Sequence, residues 1–142
     1  MKQWRQVAEH ITESTGRLFT VGQQQLMSGG SINNAFLLSA AGSGVGSIGN
    51  GGSELQYFVK TNSSGKQSMF TAEAKALRLM AESNTIRVPR PICVGDDGRQ
   101  SYIVLEYLAM GGSADQVKLG QQLAAMHNIT AEKFGWDIDN TI

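Results

Sequence analysis

The chain has 142 residues, 41% of them hydrophobic, with twelve Lys and Arg against twelve Asp and Glu and no formal net charge. That size supports one globular domain with a real core, and the balanced charge offers no field to hold a polyanion, so nucleic acid is excluded as a partner. A single cysteine rules out an internal disulfide or a multi-thiolate metal site, and no apolar run nears the roughly 20 residues that span a bilayer, so the expectation is a soluble, cytoplasmic protein with no membrane contact.

The opening MKQWRQVAEH lacks the apolar core of a signal peptide. Trp4, Val7, Ala8 and Ile11 recur at helical spacing and Gly16 can supply a left-handed stop, which predicts a short amphipathic helix over 3–15, lying on a sheet. Residues 24–28 and 34–40 read as two strands around the turn-prone Gly29-Gly30-Ser31. Glycine and serine then dominate AGSGVGSIGNGGS, where little apolar surface is available to offset ordering entropy, so 40–53 is expected to be a flexible loop between neighbouring strands.

LQYFVKT at 55–61 is rich in strand-forming aromatic and β-branched residues. Phe70, Ala74, Leu77 and Ala81 then mark an apolar helix face over 69–83, which Asn84 can close. Val88-Pro89-Arg90-Pro91 must be extended, because each proline fixes its own φ and biases its predecessor away from the helix. Two further strands, 92–95 and 101–108, flank the turn signal Asp96-Asp97-Gly98. Ser113 followed by Gln116 has capping-box form, and Val117, Leu119, Leu123, Ala124 and Met126 give a helix over 113–128 a broad apolar face. The remaining FGWDIDNTI is too short to cover that face, so the chain reads as unfinished.

Few residues carry chemistry. Lys60 ends an apolar strand and Glu73 follows thirteen positions later on a helix, an order in which a lysine can hold phosphates while the glutamate aims it. Spacing alone is met as well by two surface charges, the commoner case. Gly29, Gly30, Ser31 and Ile32 could bring backbone N–H groups close to a phosphate, although a plain hairpin also needs glycine and the run matches neither Walker A nor the longer kinase glycine loop. Leu105-Glu106-Tyr107-Leu108 could offer backbone groups to an adenine edge, or be a buried strand end. His10 and His127 are too few and too isolated for a His-based metal site, Trp4 and Trp136 read as packing residues, and Asp137 and Asp139 read as solvated acids.

Taken in order, GGSIN (29–33), FVKTN (58–62), MFTAEA (69–74), RVPRPI (87–92), VLEYL (104–108), LGQQLAAMH (119–127) and FGWDIDNTI (134–142) resemble the fructosamine (ketosamine) kinase family, which shares the broad fold of aminoglycoside and choline kinases. The resemblance implies an α+β, protein-kinase-like N-lobe over 1–108, a five-stranded antiparallel sheet with a helix packed on it, followed over 109–142 by the start of a helical C-lobe. It implies that Lys60 contacts ATP phosphates, Glu73 pairs with Lys60, Gly29, Gly30, Ser31 and Ile32 cover the phosphates, and Glu106 and Leu108 offer backbone bonds to adenine. The implied reaction is ATP- and Mg2+-dependent phosphorylation of the sugar 3-hydroxyl of a glycated amine, such as a protein-bound ketosamine, giving an unstable ester whose breakdown frees the amine.

Two departures qualify it. Some members have a cysteine in the glycine loop where this chain has Ser31, so no thiol switch carries over. The His-Gly-Asp loop, the metal-binding Asn and the further Asp of the family's C-lobe are missing, so this chain is expected to hold no catalytic or magnesium-binding residue, to be inactive alone and to self-associate through its uncovered last helix. The alternatives are a lobe of a kinase for another small alcohol and a non-catalytic nucleotide-binding module.

Overall fold

In the computed structural model, which describes residues 2–28, 32–42, 55–113 and 115–139, the apolar stripe of the first segment becomes a 3-10 turn at Lys2–Trp4 running into helix α1 (Arg5–Thr15). Gly16 ends α1 at φ 67°, a conformation a Cβ disfavours, and donates its N–H to Thr12 O. Strands β1 (Val21–Met27), β2 (Asn34–Ala40) and β3 (Gln56–Ser63) follow, then helix α2 (Gln67–Glu82), strands β4 (Pro91–Asp96) and β5 (Gln100–Glu106), and helix α3 (Gln116–His127). The expected elements are all present, with ends shifted by a few residues. Asn84 closes the α2 region at φ 52°, and Gly98 makes the β4–β5 turn at φ 82°.

The five strands form one antiparallel sheet in the order β1-β2-β3-β5-β4. β3 therefore lies between β2 and β5, and α2 is the connection that carries the chain from β3 to the far edge at β4. Both faces of the sheet are covered, by the two helices whose apolar faces the sequence marks at 3–15 and 69–83. Trp4 of the 3-10 turn and Val7, Ala8 and Ile11 of α1 pack with Leu38, Tyr57, Val59, Cys93, Tyr102 and Val104 on one face. Met69, Phe70, Ala74 and Leu77 of α2 pack with Ile103 and Leu105 on the other. β5 is buried from Ser101 to Leu105 without a break, as expected of a strand covered on both sides.

The last helix differs from expectation at its start. Its cap is Asp115, whose carboxylate accepts the Lys118 N–H at 2.9 Å, and not Ser113; Asp115 supplies the extended backbone and short acceptor that a cap requires. None of its residues is buried, and Val117, Leu119 and Leu123 are exposed. The loop expected at 40–53 falls outside the described residues from 43 onward. Its two ends are fixed: Ala40 donates its N–H to Leu55 O at 2.9 Å.

Candidate functional site

Antiparallel pairing places facing residues on the same side of the sheet, so the α2 face near its middle can be read from register. Ala35, Lys60 and Ile103 form one row, and Leu37, Phe58 and Leu105 the next row toward Glu106. Lys60 thus has apolar neighbours on both flanking strands. Its charge is answered from the helix instead. Glu73 sits on the flank of the α2 stripe, and Lys60 Nζ donates to Glu73 Oε1 at 2.6 Å, the two side chains being 29% and 17% exposed. The sequence order of strand lysine and helix glutamate is therefore a real ion pair.

The second oxygen of that carboxylate, Glu73 Oε2, is buried without a hydrogen-bond partner among the described residues. A buried acceptor of this kind costs about 1–3 kcal/mol unless something donates to it. The pair is thus built with spare acceptor capacity.

Gly29, Gly30 and Ser31 lie outside the described residues. Ile32, the last of that group, is exposed, and its carbonyl accepts from Asn62 Nδ2 at 3.2 Å. Asn62 Nδ2 also donates to Asn33 Oδ1 at 2.8 Å. Asn62 follows Lys60 by two residues on the same sheet face, so one amide ties the base of the β1–β2 turn to the lysine strand. Sequence reasoning assigned it no role, because an asparagine near a strand end gives no signal of its own.

At the other end of β5, Glu106 is held by the proline connector. Its N–H donates to Arg90 O at 2.8 Å, and its carboxylate accepts from Arg87 Nη2 at 2.9 Å and from the Arg90 N–H at 3.3 Å. The amide is thus engaged, and the backbone group Glu106 has left to offer is its carbonyl. Leu108 lies two residues beyond the strand end and is half-buried.

A third feature fixes where α2 begins. Asp96 accepts from Ser101 Oγ at 2.6 Å, Gly65 N at 2.7 Å, Gly98 N at 2.8 Å and Ser64 Oγ at 2.9 Å, while Ser101 Oγ accepts the Lys66 N–H at 2.8 Å. This single carboxylate joins the β3–α2 turn to the β4–β5 turn. The Ser101 hydroxyl first, then the two glycine amides, hold its carboxyl well below the usual carboxylate range. A group whose folded value is depressed contributes stability that is present above its unfolded value and is lost as pH falls toward the folded one. Asp96→Asn is accordingly expected to lower the unfolding midpoint at neutral pH, with the gap from wild type constant above about pH 5 and closing below about pH 4; thermal unfolding across that range checks it.

The other titratable groups lie elsewhere. Burial pushes the Cys93 thiol and the Tyr102 hydroxyl each up to about 12, so neither is a nucleophile at neutral pH, and His10 Nδ1 lies 3.0 Å from Tyr102 Oη beneath α1. Among the described residues no group of three or more His, Cys, Asp or Glu could hold a metal ion, and no helix is long and apolar enough to cross a membrane. Asp137 is not simply solvated as the sequence suggested; it is ion-paired with Lys75 of α2.

Comparison with known proteins gives a consistent set. A sequence model of the fructosamine kinase family matches residues 3–142. A protein of Synechocystis sp. named as a ketoamine kinase is 41% identical over 142 residues, covering 98% of this chain and 44% of that protein. A chloroplastic protein-ribulosamine 3-kinase of Arabidopsis thaliana is 41% identical over 111 residues, covering 69% of this chain and 34% of that one. The crystal structure of a protein from Haemophilus somnus 129PT, named as a fructosamine-3-kinase, superposes with a TM-score of 0.82 at 25% identity, over 98% of this chain and 44% of its own. The chain thus spans less than half the length of these relatives.

Proposed function

The chain belongs to the fructosamine kinase family, and on that premise we propose that it is the nucleotide-holding part of an ATP-dependent kinase acting on the sugar 3-hydroxyl of ketoamines, protein-bound ketosamines among them. The observation that carries this reading is the Lys60–Glu73 pair at 2.6 Å. A strand lysine aimed by a helix glutamate is the arrangement a nucleotide-phosphate site needs, since transfer depends on positioning and charge more than on covalent help from the protein.

In this reading Lys60 meets the phosphates and Glu73 keeps its ammonium in place. The turn at Gly29, Gly30, Ser31 and Ile32 lies over the phosphates, with its base tied to β3 by Asn62. The apolar row of Leu37, Phe58 and Leu105 offers one wall to the adenine ring, and Glu106, through its carbonyl, and Leu108 offer its polar edge. Among the described residues no group of three or more His, Cys, Asp or Glu is placed to hold magnesium. Magnesium and acceptor-orienting groups belong, in this proposal, to the length the relatives have beyond the matched part, with 1–108 as the nucleotide lobe and 109–142 opening the helical lobe. The chain alone is then inactive, and its exposed α3 face is a surface for self-association. A cytoplasmic site of action goes with the lone cysteine, which is in no disulfide.

The test is transfer of labelled γ-phosphate from ATP by the protein of the full reading frame. Ribulosyl- and fructosyl-lysine peptides are expected to accept it, with the amine freed afterwards. Labelling of an aminoglycoside or choline in their place would move the reading to another small-alcohol kinase. Absence of transfer to any of them would leave a binding module.

A further inference from the structure

α2 is gripped on its sheet side by Phe70, Ala74 and Leu77 and tied to β3 through Glu73. Its outward side is covered as well. Ala72, about 200° around the helix from Phe70, is only 4% exposed. One turn further along that side, Lys75 reaches a segment 62 positions downstream: its Nζ lies 2.5 Å from Asp137 Oδ2 and 5.8 Å from the centre of the Trp136 ring. Carboxylate and ring face one cation, and Trp136 is 39% exposed where Phe134, two residues earlier, is fully exposed.

We propose that Lys75 is a positioning residue that clasps Trp136 and Asp137 and so fixes the roll of α2, and with it the Glu73 carboxylate over Lys60. For its catalytic meaning this rests on the kinase reading above. Glu73 and Lys75 are two residues apart and therefore point to nearly opposite sides of the helix. The Lys60 pair and the clasp hold α2 from those two sides, and the helix cannot roll without loosening one of them. The side chains of Lys75 and Asp137 are 36% and 70% exposed, and an ion pair that open holds little by itself. The ring adds a second attraction. Together they are too weak to secure the fold and sufficient to bias a rotation, which is the scale a positioning role requires.

The chain labelled with 5-fluorotryptophan gives two resonances, Trp4 in the core and Trp136 at the clasp, and labelling the glutamate carboxyl carbons reports Glu73. Lys75→Met is expected to move the Trp136 resonance toward its position in the unfolded chain and to shift Glu73, while Trp4 stays in place and so shows the fold intact. Lys75→Arg, which keeps a cation for ring and carboxylate, is expected to restore both. An unmoved Trp136 overturns the clasp; a moved Trp136 with an unmoved Glu73 overturns the positioning role. ATP titration of the same proteins should show binding about two- to fivefold weaker in Lys75→Met, and an unchanged affinity also overturns positioning. If the wild type binds no ATP under these conditions, the kinase reading of the chain is what fails, and the two resonances still decide the clasp.

Discussion

Lys60→Met is expected to lower phosphoryl transfer by the full-length protein about 100- to 1,000-fold, the usual loss when one preorganised charge is removed from a reacting phosphate or oxyanion. The same substitution strips Glu73 of its partner. Because Glu73 Oε2 already lacks one, the variant holds a largely buried carboxylate with neither oxygen bonded to protein. Stability should therefore drop by about 1–3 kcal/mol, below the cost of breaking a fully dry pair because both side chains keep some solvent. Lys60→Met/Glu73→Gln separates the two effects. It is expected to regain part of the stability, since a neutral amide is cheaper to leave buried, and none of the activity. A double variant as active as wild type would remove Lys60 from the phosphate site.

Phe70→Ala is expected to destabilise the fold by about 3–5 kcal/mol, a large fraction of what a domain of this size has. Phe70 is fully buried, at the centre of the cluster that joins Met69, Ala74 and Leu77 of α2 to Ile103 and Leu105 of β5. The ring leaves a cavity that a helix on one face of a sheet can relax into only by tilting, and a tilt carries Glu73 away from Lys60. Loss of stability and loss of ATP affinity should therefore move together. Phe70→Leu keeps most of the volume and is expected to cost less than about 1.5 kcal/mol. Urea unfolding of the three proteins gives the stabilities, and ATP titration of those still folded at the working temperature gives the link to the site. A Phe70→Ala protein as stable as wild type would mean that α2 is held mainly from elsewhere.

The elements were legible because their signals are local. Helical spacing of Trp4, Val7, Ala8 and Ile11, the aromatic and β-branched residues of LQYFVKT and the Asp97-Gly98 turn each report on a few neighbouring residues, and each became the expected element. The strand order was less so, since nothing in β5 says that it enters between β3 and β4; only its unbroken burial, matched in the sequence by the run YIVL, hints at a central place. Within the site, the sequence showed which charges might meet, and it took the register to show that Lys60 has apolar neighbours on both sides and Glu73 as its partner. Asp96, Asn62 and Asp137 were passed over for one reason. Each works through partners that are distant in the chain, 31 positions from Asp96 to Gly65, 29 from Asn62 to Asn33 and 62 from Asp137 to Lys75, and a short polar residue at a strand end or in a loop looks the same whether or not such a partner exists. The cap at Asp115 in place of Ser113 is the local counterpart, decided by backbone angles that composition does not reveal.

The hydrogen bond from Ala40 to Leu55 closes the sheet below whatever chain runs between them. Because the entropy of closing a loop grows only with the logarithm of its length, that junction is a socket: a peptide epitope or a small reporter whose own ends lie close together can be spliced in there with the strands still paired. A conformational sensor placed at that point would report from the strand that carries Lys60 without a label on any residue of the site.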